Sequence, residues 1–132
     1  MSMVETQVLS TGERSRIRRF VDDVLSNEGA TATIDGGSAP SFGFMVSVAG
    51  AETKIPEGLF RSHGQDAVRR FERRNDGLLT RDGAYVGAWV HEGFVFLDVS
   101  YWFADEAIAR LQGEAEKQLA IFDLANVCEI AL

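Results

Sequence analysis

The chain has 132 residues, 45% of them hydrophobic and 25% charged, which is ordinary globular usage for one domain (1–132) and excludes a chain that is disordered throughout. Its net charge of −7 is unevenly placed: residues 1–81 hold 11 Lys/Arg against 11 Asp/Glu, whereas residues 82–132 hold Arg110 and Lys117 against nine acids. That distribution argues against direct nucleic-acid binding, which needs a cationic footprint, and suits a basic partner or plain solubility.

Residues 1–10 read as a loose lead-in or an edge strand and lack the basic start and apolar run of a signal peptide. No stretch approaches the roughly 18 apolar residues that span a bilayer. Thr11 is placed to cap a first helix over about 12–28, with Ile17, Phe20, Val21, Val24 and Leu25 as its buried stripe and Gly29 at the left-handed position that ends it. Arg14, Arg16, Arg18 and Arg19 spread around that helix and read as a solvated face. A short strand at 31–34 leads into a flexible loop at 35–41, whose glycines fit no phosphate-binding pattern.

Alternation predicts a strand at 42–48, a turn at Gly50-Ala51 and a returning strand at 52–55 that Pro56 stops. Ser62 and Gln65 have capping-box spacing for a second helix running to about Asn75. Arg69, Arg70, Arg73 and Arg74 cluster on it as a local basic patch, able to hold an anion, the acidic C-terminal segment, or only water.

Residues 84–124 are the most strongly patterned part of the chain. Two strands, Tyr85–Val90 and Phe94–Ser100, flank a His91-Glu92-Gly93 turn with Gly93 at positive φ. Both strand faces are apolar in the middle, which suits a sheet covered on both sides or a subunit interface. Tyr101, Trp102 and Phe103 follow as a loop. Asp105 caps a third helix to about 118, with Ile108, Leu111, Ala115 and Leu119 as its buried stripe. Strands at 120–124 and 127–130 close the chain. The fold class is α+β: a single layer of mainly antiparallel sheet, about five to seven strands, packed with three helices in the order α-β-β-β-α-β-β-α-β-β.

No catalytic motif stands out. His63, His91 and Cys128 have no zinc-ligand spacing, no metal or cofactor is expected, and the single cysteine, Cys128, makes a reducing cytoplasm the default compartment. Asp98 and Asp123 are each the lone acid in an apolar strand end. On neighbouring strands they could share a site as acid and base of a small hydrolase or ligand-binding domain; the plainer reading is that they cap loops.

The run Tyr85-x-Gly87-x-Trp89, Val95-x-Leu97-Asp98-Val99-Ser100, then Gln118-x-Ala120-Ile121-Phe122-Asp123-Leu124, with Gly43-Phe44-Met45-Val46 and Ile55-Pro56 upstream, resembles small uncharacterised proteins of actinobacterial phages and plasmids. The likeness covers about residues 42–132 and carries no established activity. It implies a mobile-element protein acting in the host cytoplasm. The expected function is therefore non-enzymatic: binding of a host protein through an acidic and aromatic surface formed by His91, Glu92, Tyr101, Trp102, Phe103, Asp98 and Asp123. A homodimeric structural or accessory module, with the apolar hairpin between subunits, is the alternative partner arrangement.

Overall fold

The computed structural model describes residues 11–132, so the expected lead-in at 1–10 lies outside the described residues. Helix α1 (Thr11–Asn27) is followed by β1 (Gly29–Ala32), β2 (Phe44–Ser47), β3 (Thr53–Pro56), helix α2 (Glu57–Arg74) and the short α3 (Asp76–Leu79). Then come β4 (Ala84–His91), β5 (Phe94–Phe103), helix α4 (Glu106–Ala115), β6 (Ala120–Asp123) and β7 (Cys128–Ala131). The architecture is the expected α+β one, and α3 is one helix more than the sequence suggested: Asp76-Gly77 opens a single helical turn rather than a plain bend.

The strands form one sheet in the order β1-β4-β5-β2-β6-β7, every pair antiparallel. Strand β5 is its axis. It pairs with β4 along the whole hairpin, His91 opposite Phe94, and the connecting residues Glu92 and Gly93 both have positive φ, 48° and 83°, as a type I′ turn requires. On its other edge β5 pairs with two short strands in succession, Ser47 opposite Ser100 in β2 and Thr53 opposite Leu97 in β3. The expected 42–55 hairpin is therefore absent. Strands β2 and β3 follow one line along β5, and residues 48–52 bulge out opposite Asp98 and Val99, with the Val48 amide still donating to the Val99 carbonyl at 2.9 Å. An insertion of this kind bends the strand and interrupts pairing. Tyr101–Phe103 are likewise not a loop, because β2 supplies strand partners for all three.

Because strand side chains alternate, the pairings divide the sheet into two faces. One carries Val86, Ala88, Val95, Leu97, Val99 and Ile55, packed into a core with Ile17, Phe20, Val21 and Val24 of α1, Phe60, Val68 and Phe71 of α2, and Leu79 of α3. The same face continues into a smaller cluster in which Ala109 of α4 sits on Val46 and Ile121. The four helices of the described residues thus lie on one side, and the expectation of a sheet covered on both sides does not hold for those residues.

Three local readings are also corrected. The left-handed residue that ends α1 is Glu28, φ 62°; Gly29 already belongs to β1, where a Cβ would come within 3.1 Å of the Ala88 carbonyl oxygen. Ser62 does not form a capping box: its hydroxyl bonds to the Gly58 and Leu59 carbonyls and to His63 Nδ1, and α2 starts earlier and kinks at His63. On α4 the anticipated stripe points outward. Ile108 is 54% exposed, Leu111 68% and, just beyond the helix, Leu119 90%, while Ala109 and Gly113 face the sheet. Small residues let the helix approach so closely that a Cβ on Gly113 would stand 2.9 Å from Ile121 Cγ2, leaving no room for the larger stripe beneath.

Candidate functional site

The face that no helix of the described residues covers has its own residue pattern. Thr31 of β1, Gly87 of β4 and Asp98 of β5 form one row across it. The row towards the hairpin turn runs Gly29, Trp89, Phe96, Lys54. On the other side of the Asp98 row stand Tyr85, Ser100 and Ser47, then Trp102, Met45, Phe122 and Glu129. Together they frame a trough of about 410 Å³ lined by Thr31, Met45, Ser47, Gly87, Trp89, Asp98, Ser100, Phe122, Leu124 and Glu129.

Asp98 is the polar centre of this trough and only 5% exposed. Its Oδ2 accepts from the Ser47 hydroxyl at 2.7 Å and from the Ser100 hydroxyl at 3.4 Å. Its Oδ1 lies over Gly87, where a Cβ would stand 2.6 Å away; glycine at 87 is what makes space for the carboxyl on a crowded strand. Burial pushes the Asp98 carboxyl above the usual carboxylate range, the Ser47 hydroxyl pulls it back, nearby Glu52 adds to the rise and Ser100 opposes it. The 48–52 bulge is responsible for part of this, since it removes the regular neighbour strand at the level of Asp98 and brings in Glu52 instead.

The aromatic wall of the trough is Trp89, 37% exposed, stacked on Phe96 with ring centroids 5.3 Å apart and planes 10° from parallel. Lys54 Nζ lies 4.0 Å from the Phe94 ring centroid and 5.9 Å from that of Phe96, so this wall already takes an ammonium on its far flank.

The residues singled out from sequence are not brought together. His91 and Glu92 are exposed at the hairpin turn, His91 Nε2 3.5 Å from Glu92 Oε1. Tyr101–Phe103 lie at the opposite end of β5, on the order of 25–30 Å along the strand. Tyr101 and Phe103 turn to the helical face, where the Tyr101 hydroxyl donates to the Leu78 carbonyl at 3.3 Å and Phe103 joins the small core cluster. Trp102 turns to the open face, donating from Nε1 to the Phe42 carbonyl at 2.7 Å and meeting the Phe42 ring edge-on.

Asp98 and Asp123 do not share a site. Strand β2 lies between their strands, and Asp123, in register with Phe44, points to the helical face. The Asn126 side chain and backbone both donate to its carboxylate, at 2.8 and 3.2 Å, which holds it below the usual carboxylate range; it closes the β6–β7 turn. A shared acid–base pair is thereby excluded for these two residues.

The arginines of α2 sit across the sheet from the trough and do not answer its acids. Arg69 pairs with Asp66 at 3.0 Å, Arg74 donates to Thr53 Oγ1 at 3.0 Å, Arg73 is engaged as well, and Arg70 is exposed. Arg16, read as solvated, instead makes a two-pronged bridge from α1 to Glu72 of α2, 2.6 and 2.9 Å, with both side chains 12% exposed. Glu72 keeps the Arg16 guanidinium above its ordinary pKa, against the effect of burial.

Among the described residues no group of three or more His, Cys, Asp or Glu is arranged to hold a metal ion, and no helix is long and apolar enough to cross a membrane. Compared with known protein families, with curated proteins and with solved structures, the chain has no significant match.

Proposed function

We propose that this chain is a non-catalytic binding protein that docks a partner protein on the open face of its sheet. The observation that carries the reading is the trough on the sheet face that no helix of the described residues covers, bordered by an exposed Trp89 and a buried, hydroxyl-held Asp98. A large aromatic beside a desolvated polar group is the usual composition of an interface anchor. The resemblance to phage and plasmid proteins expected from the sequence of residues 42–132 is what points to a host protein as the partner and the host cytoplasm as the place. Relative to the surface expected from sequence, this reading keeps Asp98 and replaces the His91 turn and the Tyr101–Phe103 segment by Trp89 and Phe122.

Affinity capture from an actinobacterial lysate tests this with the wild-type chain, Trp89→Ala and Phe122→Ala side by side. A partner retained by wild type and lost from both variants is expected. A partner held equally by all three would move the interface off this face and overturn the reading.

A second reading, a homodimer, draws on α4. Ile108, Leu111 and Ala115 are all exposed and spaced three and four apart, the spacing of a helix seam that packs on another helix. Glu106, Arg110 and Glu114 flank it with mixed charge, which suits a second copy of the same helix running antiparallel. Light scattering on the wild-type chain and Leu111→Glu checks it: a dimer that dissociates in the variant supports it, and a monomeric wild type excludes it.

A further inference from the structure

We infer that the trough on the open face receives a cationic side chain, arginine or lysine, of the partner protein. This rests on the docking proposed above and specifies what enters the site. Among the described residues the trough is lined by two carboxylic acids, Asp98 and Glu129, and by no lysine, arginine or histidine. The charged groups around Asp98 are also one-sided. Strand β4 presents Gly87, β2 presents Ser47, the bulge contributes Glu52, and Glu129 stands across the trough on β7. The nearest cation on this face, Lys54, is already held over Phe94 and Phe96.

The geometry fits a long side chain with a charged end. Both hydroxyl donors reach Oδ2 of Asp98, so Oδ1, above the gap at Gly87, is the oxygen available to an incoming donor. Beside it Trp89 offers an indole whose neighbour on β1 is Gly29, without a side chain to cover it. Guanidinium and ammonium groups favour such a pairing of aromatic face and carboxylate. Met45, Phe122 and Leu124 line the trough beyond and suit the aliphatic stem that both side chains carry. The acidity is also regional: with nine acids and two cations over residues 82–132, a basic partner surface is favoured at longer range.

The experiment is an NMR titration of the full chain with N-acetyl-arginine amide, N-acetyl-lysine amide and, as a neutral match, N-acetyl-glutamine amide. Saturable shifts at the Trp89 indole N–H and the Gly87 amide are expected with the first two and not with the third. Asp98→Asn should weaken the response about tenfold, the loss of one charge-assisted contact, while Arg70→Gln on the opposite side leaves it unchanged. The relative strength of the first two titrations identifies arginine or lysine as the preferred group. Absence of a saturable shift, equal binding of the glutamine compound, or an unaltered response in Asp98→Asn overturns the inference. Those outcomes are separable from failure of the docking proposal, because a captured partner that is lost with Trp89→Ala yet tolerates Asp98→Asn keeps the face and removes only the cation.

Discussion

Asp98 is where the fold bears a cost that its packing does not require. Its carboxyl is held above the usual range chiefly by burial, so ionising it is harder in the folded chain than in the unfolded one. The favourable contribution of this group is complete below its unfolded pKa, near 3.9 for an ordinary aspartate, and is lost as pH rises through the higher folded value. Asp98→Asn cannot ionise and is expected to melt above wild type at neutral pH, the two converging toward about pH 4, as followed by thermal unfolding across the pH range. A variant that is more stable yet binds less well is the signature of a group kept for function rather than for structure. Gly87 supplies a companion test. Gly87→Ala forces the Asp98 carboxyl aside and is expected to cost about 1–3 kcal/mol, measured by urea denaturation, with most of the loss recovered in the Gly87→Ala, Asp98→Ala double variant. A Gly87→Ala penalty that persists in the double variant would mean the glycine serves the strand and not the carboxyl.

At the scale of elements, α4 separates what the residues announced from what they concealed. Its N-cap was legible: Asp105 Oδ1 accepts from the Ile108 amide at 3.0 Å, as its position before an apolar run implied. Its orientation was not. A large-residue stripe and a small-residue stripe share this helix, and periodicity favours the former, but close approach to the sheet selects the latter. Gly113→Val is therefore expected to destabilise by about 1–3 kcal/mol, whereas Leu111→Ala should stay within about 0.5 kcal/mol; equilibrium unfolding of both decides which face is inside. The β4–β5 hairpin was readable from Gly93, although its turn is the two residues Glu92-Gly93 and His91, expected in the turn, pairs with Phe94. The β2–β3 arrangement was not, since a glycine turn between two alternating runs describes a hairpin and an interrupted edge equally well. The same limit hid the site. Asp98 and Ser100, two apart on β5, and Gly87 inside β4 were visible signals of a polar pocket, but only the pairing of β5 with β4 and β2 brings Gly87 and Ser47 to that carboxyl.

At the scale of the molecule, the described residues form one sheet with two unequal cores beneath it. The larger, under α1 and α2, includes Phe60, Phe71, Leu97 and the buried valines of β4 and β5; the smaller rests on Val46, Ala109 and Ile121. Local opening follows the density of buried apolar contacts, so amide hydrogen exchange is expected to be fastest in α4, β6 and β7 and slowest along the β4–β5 hairpin. Uniform protection across the sheet would show that the two halves open as one unit. The bridge from Arg16 to Glu72 belongs to the better-protected half, tying α1 to α2 near the edge of that core.

A layer whose described helices all lie on one side also divides the chain's mutational freedom. Along β4 and β5 every second position answers to the core, and the positions between answer to whatever meets the open face. Exposed positions such as Trp89 can therefore be exchanged without disturbing Val86, Val99 or the helices beneath them. Asp98 is the exception, because Gly87, Ser47 and Ser100 are fitted around it. The open face can therefore change around that fixed carboxyl with the fold untouched on the other side of the strand.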